Sequence, residues 1–123
     1  MVKGPITSSP FYAWLIVIRP INLIIITTAI IVLRYSYDGA FVKSGDWLLE
    51  CLITLPLVFL AAGGNIINDY FDIKEDRINK PDRALVGRVL KRRIALMSHW
   101  TLTTIGIGLA ALASWKTGNF IPI

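Results

Sequence analysis

The sequence predicts an all-α, multi-pass membrane protein, and three observations carry that prediction. Hydrophobic residues make up 54% of the 123 positions, too many for a small soluble chain that must dress its core in a polar coat. The charges are clumped rather than spread along every segment, which leaves long uncharged runs. Three of those runs, about 11–33, 47–67 and 94–115, approach the roughly 20 residues a helix needs to cross a hydrocarbon core.

The first run, "FYAWLIVIRPINLIIITTAIIVL", is interrupted by Arg19-Pro20. Pro20 removes a helix hydrogen bond, so it either kinks the span or begins its fully apolar part after a short interfacial helix. Lys3 precedes this run, but no small-x-small cleavage pattern follows it, so the N-terminus reads as part of the mature chain. In the second run, "WLLECLITLPLVFLAAGGNII", Pro56 should bend the helix, and Gly63-Gly64 should allow close backbone approach or a local break. On the third, Gly106, Ala110 and Ser114 recur every four residues, a stripe that lets a partner helix approach, inside or outside this chain. No internal repeat or flexible linker separates these runs. Residues 1–123 therefore read as one domain or part of one.

Charge sets orientation. Tyr35 to Asp46 carries one Lys against two Asp, whereas eight of the thirteen Lys and Arg lie between Lys74 and Arg93. The second loop and the N-terminus should be cytoplasmic, with the short first loop outside. The net charge of +5 does not argue for nucleic acid, because the cations adjoin an apolar segment and no nucleic-acid motif is present. Cys51 lies in an apolar stretch and reads as a small buried hydrophobe. His99 lacks an acidic neighbour at helical spacing and reads as a packing or interfacial residue. Trp14, Trp47, Trp100 and Trp115 sit near span ends, as interfacial belts require.

The chemistry concentrates in "NDYFDIKEDRINKPDR", Asn68 to Arg83. A helix turns about 100° per residue, so with Asn65 at zero, Asp69 falls near +40°, Asp72 near −20°, Asp76 near +20° and Asn68 near −60°. One face carries all five side chains. Asp72 and Asp76, four apart, repel one another, and Asp69 adds to that repulsion. In water such a face would simply be solvated, with Asp76 pairing Lys80. Two features favour a cation instead. Asn65 and Asn68 share the face just inside the apolar run, where amides need partners. Arg77, Lys80 and Arg83 follow within a turn or two, and Pro81 stops the helix. Carboxylates beside fixed cations suit a metal-bound polyphosphate, and all-oxygen ligands suit magnesium, manganese or calcium rather than zinc. An EF-hand is excluded, since neither register from Asp69 or Asp72 places Gly sixth or Glu twelfth.

At these residues the chain resembles the UbiA family of intramembrane prenyltransferases. Its first acidic motif, Asn-Asp-x-x-Asp-x-x-x-Asp, is matched by Asn68 to Asp76, and its basic segment by Asn79 to Arg83; "RPINL", Arg19 to Leu23, is similar to the family's first helix. "INDYFDIKEDRINKPDRALVGRVLKRR" is most similar to the branch that transfers geranylgeranyl groups to glycerol phosphate backbones. Where the family commonly has Pro after the basic segment's Arg, this chain has Ala84. The resemblance implies a site in which Mg2+ is held by Asp69, Asp72 and Asp76, the catalytic acids. Asn65, Asn68, Lys80, Arg83 and Arg19 would bind substrate there. Isoprenyl diphosphate is the implied donor and a lipid or aromatic compound the acceptor. Tyr70 and Phe71 would be acceptor-pocket or ordinary helix contacts.

The family resembles a ring of about nine helices with a second Asp-rich motif facing the first, whereas this sequence has three spans and one acidic cluster. It is therefore expected to be an N-terminal part, needing further helices or a complementing chain, and inactive alone. Rival readings are an aromatic prenyltransferase and a non-enzymatic three-span protein whose "GRVLKRR", Gly87 to Arg93, binds anionic lipid. A CDP-alcohol phosphotransferase would need an Asp-Gly-x-x-Ala-Arg block, which is missing. Soluble isoprenyl diphosphate synthases would not carry lipid-length spans.

Overall fold

The computed structural model describes residues 9–38, 47–81 and 84–118. Five helices account for most of them: α1, Pro10–Ile18; α2, Pro20–Asp38; α3, Trp47–Phe71; α4, Ile73–Asn79; and α5, Arg92–Thr117. Three stretches are long and apolar enough to cross a membrane: Pro10–Ser36, Trp47–Phe71 and Arg92–Thr117. Each matches one of the apolar runs. Ile24, Ile25, Ile107 and Leu112 point outward from them, an arrangement suited to hydrocarbon and poorly suited to water. The chain is a membrane protein.

Pro20 divides the first span. Pro10 opens α1, where a missing N–H is harmless. Arg19 closes it in the left-handed region, at φ 59° and ψ 66°, and donates its backbone N–H to the Ile16 carbonyl. Pro20 then starts α2. The helix preceding Pro20 is thus a separate element. By contrast, α3 runs uninterrupted through Pro56, Gly63 and Gly64, so neither a Pro nor a glycine pair ends it. α4 stops at Asn79, and Lys80 leaves the helical region at φ −142° and ψ 63°, as a residue before proline does.

Two compact units divide the chain. In one, Met1–Pro20 with Ala62–Thr101, the buried apolar residues gather: Ala13 and Val17 of α1, Ile66 of α3, Ile73 of α4, Leu85 and Leu90 of the following loop, and Ala95 of α5. Trp14 Nε1 donates to Ser98 Oγ at 3.0 Å, so this Trp joins α1 to α5 rather than only marking an interface. Trp47, Trp100 and Trp115 are exposed, as an interfacial belt requires. His99 Nδ1 lies 3.0 Å from the Gly63 carbonyl. A carbonyl only accepts, so Nδ1 carries the hydrogen and His99 serves helix packing.

The other unit comprises Ile21–Ala61 and Leu102–Ile123. Here Gly106 is buried, and a Cβ built on it would stand 3.1 Å from the Pro56 carbonyl oxygen, 3.1 Å from Leu60 Cγ and 3.3 Å from Phe59 Cβ. The helix that Gly106 meets is therefore α3, within this chain. Gly108 faces open space. Gly106→Ala is expected to destabilise by about 1–3 kcal/mol through overpacking against backbone. Gly108→Ala should instead stabilise by about 0.5–1 kcal/mol through helix propensity. Thermal unfolding in detergent checks the pair, and equal shifts would contradict this packing. Cys51 corrects an expectation: it is exposed, because in a membrane span the apolar face turned away from the protein meets lipid and needs no burial.

Candidate functional site

Pro20 cannot donate into the α1 ladder, so the last carbonyls of α1 need other partners. Asn65 of α3 supplies one, its Nδ2 donating to the Ile18 carbonyl at 2.8 Å. One turn further along the same face, Asp69 Oδ1 accepts from Arg19 Nη2 at 2.5 Å. A single face of α3 thus holds the end of α1 by an amide and a carboxylate. Arg19 is the only non-glycine residue with positive φ among the described residues, a conformation costing about 1–2 kcal/mol. The contacts on either side over-determine the backbone there, and they aim its guanidinium at Asp69.

Past Phe71 the chain leaves helical geometry for one residue, Asp72, at φ −84° and ψ 10°. Asp72 is a turn residue, yet Asp72 N–H donates to the Asn68 carbonyl at 2.9 Å and Asp76 N–H to the Asp72 carbonyl at 2.8 Å. These bonds close α3 and open α4 on Asp72, so Asp69 stands on α3, Asp72 at the junction and Asp76 on α4. Asn68, Asp72 and Lys80 are exposed, while Asn65, Asp69 and Asp76 are half-buried. Arg83 lies outside the described residues, as does Asp82. Asp76 and Lys80 form no ion pair, whereas Arg19 pairs with Asp69 and Arg34 with Glu50.

Among the described residues no three acidic, His or Cys side chains stand together as a ready-made metal cage. The chemistry of the donor set nevertheless fits magnesium. All three Asp offer hard oxygens, and magnesium is ordinarily held by one or two carboxylates with substrate phosphates completing its shell. Asp72 and Asp76 are four residues apart, whereas Asp69 is engaged by Arg19. Tyr70 and Phe71 form an edge-to-face pair with centroids 5.5 Å apart, and Phe71 is exposed beside the acids.

The basic segment folds back onto α4. Arg88 Nη1 donates to the Pro81 carbonyl at 2.7 Å. The Leu85 carbonyl accepts from the N–H groups of Arg88, Val89 and Leu90, and Gly87 N–H donates to the Leu90 carbonyl at 2.7 Å. Gly87 has φ 81°, a value that requires glycine. Arg77 Nη2 reaches the Gly87 carbonyl at 3.4 Å. This arrangement, and the Arg34–Glu50 pair, escaped the sequence reading. The one signal for the latter was a pair of charges at the ends of apolar runs.

Against known proteins, the model of the UbiA prenyltransferase family matches residues 23–123. The chain is 48% identical over 71 residues to a digeranylgeranylglyceryl phosphate synthase of Thermococcus gammatolerans, covering 54% of this chain and 26% of the relative. It is 33% identical over 100 residues to the synthase of that name from Methanospirillum hungatei, covering 81% and 34%. With the one from Thermococcus sibiricus it shares 36% over 107 residues, covering 85% and 36%. The chain thus spans about a quarter to a third of the length of these relatives. No solved structure matches.

Proposed function

The chain belongs to the UbiA prenyltransferase family, and from that membership we propose that it forms part of a membrane enzyme moving an isoprenyl group from its diphosphate to geranylgeranylglyceryl phosphate. The observation supporting this most is the succession of Asp69, Asp72 and Asp76 across the α3–α4 junction at the end of an apolar span. The relatives' names give a product, digeranylgeranylglyceryl phosphate, from which we infer the acceptor as that product less one geranylgeranyl group.

In this reading Asp69, Asp72 and Asp76 hold magnesium. When bound, the metal supplies the positive charge that makes a diphosphate a better leaving group. Lys80, Arg83 and Arg19 bind the remaining phosphate oxygens, with Asn65 and Asn68 at the inner edge. Arg19 first has to exchange Asp69 for the diphosphate, since its guanidinium is engaged by that carboxylate. The apolar helices hold the isoprenoid tail and keep water from its first carbon, leaving the acceptor oxygen to attack there. Helices beyond these three complete the pocket and the far side of the diphosphate. We place the enzyme in the cell membrane with the N-terminus and 68–93 on the cytoplasmic side, as the clustered cations favour.

The test is a chimera in which residues 65–93 replace the corresponding segment of the Thermococcus sibiricus relative. Supplied with labelled geranylgeranyl diphosphate and magnesium, it is expected to prenylate geranylgeranylglyceryl phosphate. Product from 4-hydroxybenzoate alone would move the acceptor to the aromatic class. A folded, membrane-inserted chimera without any transfer would overturn the proposal.

A further inference from the structure

Beside the turn at Gly87, two guanidinium groups converge. A Cβ built on Gly87 would lie 3.4 Å from Arg92 Nε and 3.5 Å from Arg77 Nη2, so these nitrogens stand within about 7 Å of one another. Among the described residues neither Arg is in an ion pair. Arg77 has a long hydrogen bond to the Gly87 carbonyl as its contact there. The start of α5 adds to the imbalance. Helix N-termini favour acidic side chains because the free N–H groups carry partial positive charge. Yet α5 opens with Arg92 and Arg93 and has no acid in its first turn.

Three positive sources therefore meet over a residue with no side chain. The floor is fixed: Leu85, Val86 and Leu90 are buried beneath the turn, and Gly87 N–H is tied to the Leu90 carbonyl. Arg77, Gly87 and Arg92 themselves are exposed. We propose that Arg77, Gly87 and Arg92 form a binding notch for a phosphoryl anion, separate from the acidic face and independent of prenyl transfer. Guanidinium forks match phosphate oxygens bidentately, and the missing Cβ lets an oxygen approach the backbone. The notch lies at the first residue of a candidate membrane span, the level at which lipid phosphoryl groups lie. A dissolved phosphate has the same chemistry.

Two arms separate these sources. In the first, the chain is reconstituted in phosphatidylcholine nanodiscs doped with phosphatidylglycerol, and the lipid retained after detergent exchange is counted by native mass spectrometry. In the second, inorganic phosphate is titrated at constant ionic strength while thermal unfolding is followed. The variants are Arg77→Gln, Arg92→Gln and their combination, with Lys74→Gln as an equal change of charge on α4 away from Gly87. Retention of phosphatidylglycerol, or a phosphate-induced stabilisation, is expected in the native chain. Either should fall about tenfold in the double variant, the loss of two charge-assisted contacts, and stay within about twofold in Lys74→Gln. Retention without a phosphate response assigns a lipid headgroup; the reverse assigns a soluble phosphate. Should the double variant lose its helical circular dichroism, the single variants carry the test, each expected to lose about threefold. No response in the native chain, or an equal loss in Lys74→Gln, would overturn the notch in favour of diffuse attraction.

Discussion

Asp69→Asn, placed in the chimera that carries residues 65–93, is expected to lower prenyl transfer by about three orders of magnitude, or about 4 kcal/mol of barrier. The substitution keeps size and an acceptor oxygen for Arg19 while removing one negative charge from the proposed metal-holding acids. Stability should hardly change. Arg19 is about half exposed and the pair is open to solvent on that side, and such pairs contribute about 0–1 kcal/mol. Initial rates across a magnesium titration, set beside melting curves, measure the two effects separately. Residual turnover should require more magnesium, since one hard ligand is gone. A rate within about tenfold of the unsubstituted chimera, at any magnesium concentration, would remove Asp69 from the site and leave it a fastener for Arg19.

The reason to separate these effects is that Asp69 and Asn65 each have a structural duty that their spacing alone did not disclose. Helical arithmetic places both on one face, and both lie within the uninterrupted helix α3. It could not show that Asn65 caps the Ile18 carbonyl, because that partner lies on another helix, 47 positions earlier. Arg19 was legible as a charge beside Pro20, but its left-handed backbone was not. The residue before a proline favours extended geometry, and here a tertiary contact overrides that preference. The spans themselves were plain, since apolarity over some twenty residues needs no knowledge of partners. Cys51 was misplaced for the converse reason, that a rule written for water puts an apolar side chain inside.

Least legible was Arg34 with Glu50, charges on two different helices, and the largest stability effect is expected there. Arg34 Nε donates to Glu50 Oε2 at 2.9 Å and its Nη2 to Oε1 at 2.9 Å, a bidentate pair joining α2 to α3. The Glu50 side chain is 7% exposed and that of Arg34 25%. Glu50→Ala strips the guanidinium of a desolvated partner. Removing one member of a buried pair costs about 3–5 kcal/mol, and Arg34's partial exposure puts the expected loss at the lower end, about 3 kcal/mol. The double variant Arg34→Met with Glu50→Leu should recover most of that loss, because an apolar pair of similar volume has no charges to desolvate. A thermodynamic cycle over Arg34→Met, Glu50→Leu and their combination, read by reversible unfolding in mixed micelles, isolates the coupling. Strictly additive losses would mean that the two side chains are anchored by their surroundings rather than by each other.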